Sequence, residues 1–279
     1  MDALIDRLEI LLPAPPEAVD WTGAVAFRWR KKNGQSWLHP VRHPHQIRLE
    51  NLVGIDAQKS LADQNTRQFV SGLPANNMLL TGARGTGKSS LVKALLNEYS
   101  GRGLRLVEVD KHDLVDLPDL VEILWGRPER FVVFCDDLSF EADEPGYKAL
   151  KVALDGSVAA SSENVLIYAT SNRRHLMPDY MSDNLASRRV DDEIHPGEAV
   201  EEKISLSERF GVWLSFYPFD QDEYLAIVRY WLHRMDLKLT EAARQESLQW
   251  AIQRGSRSGR AAWQFARDWA GRQALKKGR

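Results

Sequence analysis

The residues GARGTGKS, from Gly82 to Ser89, constrain this chain more than any other stretch, because they directly follow the apolar run Met78-Leu79-Leu80. Glycine, four residues, glycine, lysine and serine is the spacing of a phosphate-binding loop set between a strand and a helix. Gly82, Gly85 and Gly87 let the backbone bend, so that consecutive N–H groups face one anion. Lys88 then reaches the β- and γ-phosphates as a point charge, and the Ser89 hydroxyl ligates Mg2+. A helix expected to begin near Ser90 turns its positive end toward the site. The candidate phosphate-binding set is therefore Gly82, Ala83, Arg84, Gly85, Thr86, Gly87, Lys88, Ser89 and Ser90. The competing reading is a glycine-rich turn before a surface helix.

Composition sets the frame for that loop. The 279 residues are 43% hydrophobic and 27% charged, enough for one large domain or two smaller ones. The single cysteine, Cys135, lies inside the apolar run FVVFC, so no disulfide forms within the chain and a reduced, cytoplasmic setting is expected. No apolar stretch approaches membrane-spanning length, and no membrane partner is expected. The opening MDALIDRLEILLPAPPE has apolar residues at helical spacing but carries Asp2, Asp6, Arg7 and Glu9, which reads as an amphipathic helix rather than a signal peptide. Net charge is −2, yet residues 21–48 hold six Lys or Arg and no acid, and residues 244–279 hold nine against two. Basic flanks of this kind either attract phosphate backbones or are solvated faces.

Along the chain, Pro13, Pro15 and Pro16 break the first helix. Residues 24–38 read as two short strands joined at Asn33-Gly34. A helix ending near Gly72-Leu73-Pro74 offers Leu61, Phe69 and Val70 for its buried side. From there to about residue 218, β-branched and aromatic runs alternate with helical segments, the pattern of an α/β fold whose parallel sheet is covered on both faces. The expected strands are Asn77–Leu80, Leu104–Val109, Phe131–Cys135, Val165–Thr170 and Val212–Tyr217. After Pro218 the pattern is helical. Asp220 and Glu223 form a capping-box start, Tyr224, Ile227, Val228, Trp231, Leu232 and Met235 recur at helical spacing, and two further helices are expected over 240–254 and 259–276.

Hydrolysis at a phosphate loop needs a carboxylate for the metal and a group that orients water. FVVFCDD offers Asp136 on the metal side and Asp137 as the base; either could instead cap the following helix. The strand VLIYAT ends at Ser171-Asn172, where Asn172 either bridges the γ-phosphate and the lytic water or serves as a turn residue. Asp191–Glu202 reads as an acidic solvated loop interrupted by Pro196-Gly197. Trp29 and Trp37, interleaved with Arg28, Arg30, Lys31 and Lys32, either stack on bases or anchor a small hairpin. His39, His43 and His45 have no local acidic or thiol companion to make a metal site.

The ordered set LVGID, GARGTGKS, FVVFCDD, YATSN, SERF and GSRSGR resembles the AAA+ family of ATPases over about residues 50–279. In detail it is similar to a bacterial branch catalogued as a domain of unknown function. The resemblance implies a five-stranded parallel sheet in the order 5-1-4-3-2 with a C-terminal helical lid. It implies ATP and Mg2+ as ligands, Asn172 as a first sensor, Arg260 as a second sensor on the lid, and Arg209 as a finger entering a neighbouring subunit's site. Arg188 and Arg189 are rival fingers, with Arg173 and Arg174 behind them. A finger supplied by a neighbour implies a homo-oligomer, a ring such as a hexamer. The expected division is an extension over 1–48, a nucleotide-binding core over 49–218 and a helical lid over 219–279. Two departures stand out: Asp136-Asp137 replaces the family's Asp-Glu pair, and Lys111–Pro118 lacks the aromatic-glycine loop of polypeptide-threading members. The expected function is an ATPase that remodels or loads a macromolecular partner; the alternative is an ATP-gated nucleic-acid-binding switch with little hydrolysis.

Overall fold

The computed structural model of the protein describes residues 19–32, 34–140, 144–155, 163–173, 188–190, 193–195 and 206–277. The expected first helix with its prolines, Asn33 and Arg174 lie outside them. In chain order the described elements are β1 (Ala26–Lys32), β2 (Gln35–Pro40), α1 (Asp56–Val70), β3 (Met78–Gly82), α2 (Lys88–Tyr99), β4 (Leu104–Glu108), α3 (Leu117–Leu124), β5 (Arg130–Cys135) and α4 (Pro145–Asp155). There follow β6 (Val165–Ser171), β7 (Arg188–Val190), β8 (Glu193–His195), β9 (Val212–Phe216), α5 (Gln221–His233), α6 (Glu241–Gln253) and α7 (Gly259–Lys277).

Among the described residues the main sheet has seven strands in the order β2-β1-β4-β5-β6-β3-β9, parallel except for the β1–β2 hairpin. The five strands read from sequence take the places the resemblance implied: from β9 inward, β9-β3-β6-β5-β4 is 5-1-4-3-2 in order of appearance. The count is corrected from five to seven. The hairpin assigned to an N-terminal extension joins the sheet, with Ala26, Phe27 and Arg28 paired to Leu106, Val107 and Glu108 of β4. A strand edge exposes unpaired N–H and C=O groups, and Phe27, Trp29 and Leu38 need an apolar floor; docking on β4 satisfies both.

Alternation along each strand divides the core between two faces. Met78, Leu80, Val132, Phe134 and Tyr168 pack with α1, α2 and the C-terminal helices, while Leu79, Phe131, Val133 and Ile167 pack with α3 and α4. All of β6 is buried, which explains why it reads as a continuous apolar run. The stripe α1 buries is Ala62, Asn65, Thr66 and Phe69, not Leu61, which is exposed. Polar Asn65 and Thr66 go inside because Tyr168 meets both: its hydroxyl lies 3.1 Å from the Asn65 amide and 2.9 Å from the Thr66 hydroxyl. Glu193–His195, read as loop, pairs as β8 with β7; β-branched Val190 and Ile194 favour the extended form. The capping box of α5 forms as expected, with Asp220 and Glu223 exchanging backbone-to-carboxylate bonds of 2.9 and 2.8 Å.

Candidate active site

β3, β6 and β5 lie side by side, and their carboxyl ends bring together most of the residues that the sequence singled out. At the end of β3, Gly82 has φ +125°, and a Cβ there would sit 1.9 Å from the Phe216 carbonyl oxygen. Only glycine lets the loop leave the sheet at that point. Ala83 N–H donates to the same carbonyl at 3.1 Å, and the Thr86 hydroxyl donates to the Ala83 carbonyl at 2.8 Å, closing the loop on itself. Helix α2 starts at Lys88 rather than near Ser90, so Lys88, Ser89 and Ser90 all stand in its first turn.

Lys88 is buried, and its ammonium donates to the carbonyls of Gly82 and Ala83, each at 2.7 Å, and to Asn172 Oδ1 at 3.0 Å. All three protons go to neutral oxygens, and among the described residues the cation has no carboxylate in direct contact. Burial lowers its pKa from the ordinary lysine value, Asp137 and Asp136 oppose that shift, and Arg84 adds to it. Opposite it, Asp136 Oδ1 accepts from the Ser89 hydroxyl and from the Thr170 hydroxyl, each at 2.6 Å. Asp137 sits at φ +54°, a left-handed backbone seldom adopted outside glycine, and its carboxylate accepts from the Asn172 amide. Asn172 thus bridges Lys88 and Asp137. These donors and acceptors fit a magnesium-bound polyphosphate: a cation held only by neutral oxygens suits an anion, and a hydroxyl beside a carboxylate supplies the hard oxygens that magnesium prefers.

The arginines divide by edge. Gly259 N–H, at the start of α7, donates to the Gly85 carbonyl at 2.9 Å. At Gly85, φ +74°, an added Cβ would stand 2.9 Å from Ser258 and 3.5 Å from the Arg260 Cβ. Arg260, with its side chain exposed, therefore borders the loop. Arg209 is not brought there. It precedes β9 in a parallel sheet, donates to Asp155 at 2.5 Å, and lines a cleft of about 1160 Å³ with Asn76, Asn77 and Trp125 at the amino edge. The length of β3 separates the two edges, roughly 15 Å. Arg188 and Arg189 fall in β7, and Arg173 follows Asn172 at the carboxyl edge.

Thr170 and Ser258 were not singled out from sequence. Thr170, 1% exposed, donates to Asp136 and accepts the Asp137 N–H at 2.9 Å; its hydroxyl near the carboxyl end of β6 was the available signal. Ser258 caps α7 by accepting the Ala261 N–H at 3.2 Å and touches the loop at Gly85. The cysteine beside this site is inert packing, since burial pushes the Cys135 thiol up to about 12. Among the described residues no helix is long and apolar enough to cross a membrane.

The fold is similar to that of the RuvB Holliday junction branch migration motor of Thermotoga maritima, with TM-score 0.52 and 18% identity over 79% of this chain and 63% of that one. A point mutant of the same RuvB gives 0.53 and 17% over 79% and 64%. This chain thus spans less than two thirds of the RuvB chains it matches. PCH-2 of C. elegans superposes at 0.49, with 17% identity over 77% of this chain and 62% of that one. No curated protein sequence matches the chain. Residues 22–273 match the model of a family described as "Protein of unknown function (DUF815)", and this chain belongs to that family.

Proposed function

We propose that this chain is an ATPase that binds MgATP in the Gly82–Ser90 cradle and hydrolyses it where two copies meet, driving remodelling or loading of a macromolecular partner. The observation that carries this reading is the convergence of Lys88, Ser89, Asp136, Asp137 and Asn172 in one hydrogen-bonded cluster. It lies at the carboxyl edge of the sheet, where open α/β sheets take their ligands. MgATP supplies the transferable phosphoryl group and a metal that neutralises its charge. Lys88 exchanges carbonyl partners for phosphate oxygens. Ser89 and Asp136 would hold the metal. Asp137 orients the attacking water and takes its proton, while Asn172 keeps that base in line with Lys88. Arg209 faces away from its own cradle and serves the next copy, where a finger of this kind is worth about 10³–10⁵ in rate.

Residues 49–218 act as the core and 219–279 as a lid, with the Gly259–Gly85 bond as the contact through which lid motion is felt and Arg260 as its sensor. The 1–48 segment is an extension held to the core by its hairpin. Buried, unpaired Cys135 suits the reduced cytoplasm. Calorimetry with MgATP and a phosphate-release assay test the scheme. Lys88→Ala loses binding, whereas Asp137→Asn keeps it and releases no phosphate, asparagine also tolerating the left-handed backbone. Retained affinity in Lys88→Ala ends the reading, and unchanged turnover in Asp137→Asn moves the base elsewhere. Tight ATP binding without phosphate release by the unaltered chain, with or without single-stranded DNA, favours the switch instead.

A further inference from the structure

β1 runs parallel to β4, and their register ends at Arg28 opposite Glu108, where β4 stops. Trp29–Lys32 and the opposing Gln35–Leu38 continue past that point. The tip of the hairpin therefore stands beyond the end of β4, at the carboxyl edge of the sheet, the edge that bears the cradle. One face of the tip is fully engaged. Trp29 is 3% exposed, and its indole N–H, the Lys31 ammonium and the Ser36 hydroxyl donate to Asp116 at 3.2, 2.8 and 3.4 Å. Asp113 and Asp119 reinforce the negative field on that side.

The other face is different in kind. The register sets Arg28 opposite His39, Arg30 opposite Trp37 and Lys32 opposite Gln35, and residues directly opposed in an antiparallel pair share a face. Arg28 is held by Glu108 at 2.6 Å. Arg30 and Lys32 are exposed and have no carboxylate partner among the described residues. Trp37 is half-buried beside Arg30. Trp29 already anchors the hairpin, so Trp37 is not needed for that. Cations at alternate strand positions stand about 6.8 Å apart. With the half-buried indole of Trp37 beside them, they make a platform on which a base stacks while its phosphates meet charge.

We propose that this face, Arg30, Lys32 and Trp37, binds single-stranded nucleic acid. Charge complementarity selects a polyanion, and the half-open indole selects one with unstacked bases over a duplex, an acidic protein or an anionic membrane. The inference does not depend on hydrolysis at the cradle.

The test uses the full chain and a fluorescein-labelled oligothymidine, followed by anisotropy across a salt series. The unaltered chain binds, and Arg30→Ala with Lys32→Ala weakens binding at least tenfold. Two lost phosphate contacts also flatten the log affinity against log salt slope by about 1.4. Trp37→Ala weakens binding about tenfold with the slope kept, and Trp37→Phe restores it. MgATP affinity stays unchanged in all three variants, which separates failure here from failure of the cradle. No binding by the unaltered chain, equal binding by the variants, or a preference for polyglutamate or phosphatidylserine vesicles over the oligonucleotide overturns the proposal.

Discussion

The Thr170 hydroxyl holds both candidate acids at once, donating to Asp136 at 2.6 Å and accepting the Asp137 N–H at 2.9 Å. Asp137 is steadied by such bonds: a left-handed residue other than glycine costs about 1–2 kcal/mol, and less for aspartate and asparagine, whose short side chains hydrogen-bond locally. The strain is carried by three neighbouring bonds: the Thr170 hydroxyl on the Asp137 N–H, the Leu138 N–H on the Thr170 carbonyl at 2.7 Å, and the Ser171 hydroxyl on the Leu138 carbonyl at 2.6 Å. Thr170→Val keeps the shape and removes the hydroxyl, leaving the Asp137 N–H without its partner. Denaturant unfolding should show a loss of about 1–3 kcal/mol. On the proposed function, kcat falls while MgATP affinity holds, and Thr170→Ser recovers both stability and rate. An unchanged kcat would mean that Asp136 and Asp137 keep their places without it. The cradle residues were legible because their chemistry is fixed by spacing within one segment. Thr170 was not, because in VLIYATS it reads as an ordinary β-branched strand former, and its partners come from the residues that follow the neighbouring strand β5.

At the scale of elements, the central strands were legible for a physical reason: a strand buried on both faces must be nearly all apolar, and FVVFC and VLIYAT are, save the hydroxyls of Tyr168 and Thr170. The hairpin was visible as a hairpin, but nothing in residues 24–38 names β4 as its neighbour, since strand pairing is a long-range choice. Helix α1 shows the opposite difficulty. Its buried stripe contains Asn65 and Thr66, so a reading by hydrophobicity selects Leu61 and misses the polar pair that Tyr168 draws inward. Burial pushes the Tyr168 phenol up to about 12, so it remains a neutral hydrogen-bonding partner. The start of α5 was readable to the residue because both halves of its capping box lie within one turn. Asp220→Ala removes the acceptor of the Glu223 N–H and should cost about 1 kcal/mol in thermal or denaturant unfolding. A loss well below that would mean that packing of Tyr224, Ile227 and Val228 fixes the helix start without the cap.

On the proposed function, the molecule as a whole has two working edges set apart by the length of the sheet. Lys88, Asp136, Asp137 and Asn172 stand where the parallel strands end, and Arg209 stands where β9 has yet to begin, bonded to Asp155 beside the amino-edge cleft. A sheet is stiff across this distance, so no local motion carries Arg209 to its own cradle. A second copy placed head to tail can present it, and such a heterologous contact closes into a ring when the rotation permits. Arg209→Ala should then bind MgATP with unchanged affinity and show no turnover, and Lys88→Ala should show neither binding nor turnover. Mixed in equal amounts, the two inactive proteins should recover activity. An intact cradle from one variant meets an intact Arg209 from the other at about a quarter of randomly formed head-to-tail contacts, and turnover should approach that fraction of the unaltered level. Phosphate release measured against mixing ratio should peak near equal amounts. A mixture as inactive as its components would place the action of Arg209 within its own chain or remove it from the reaction altogether.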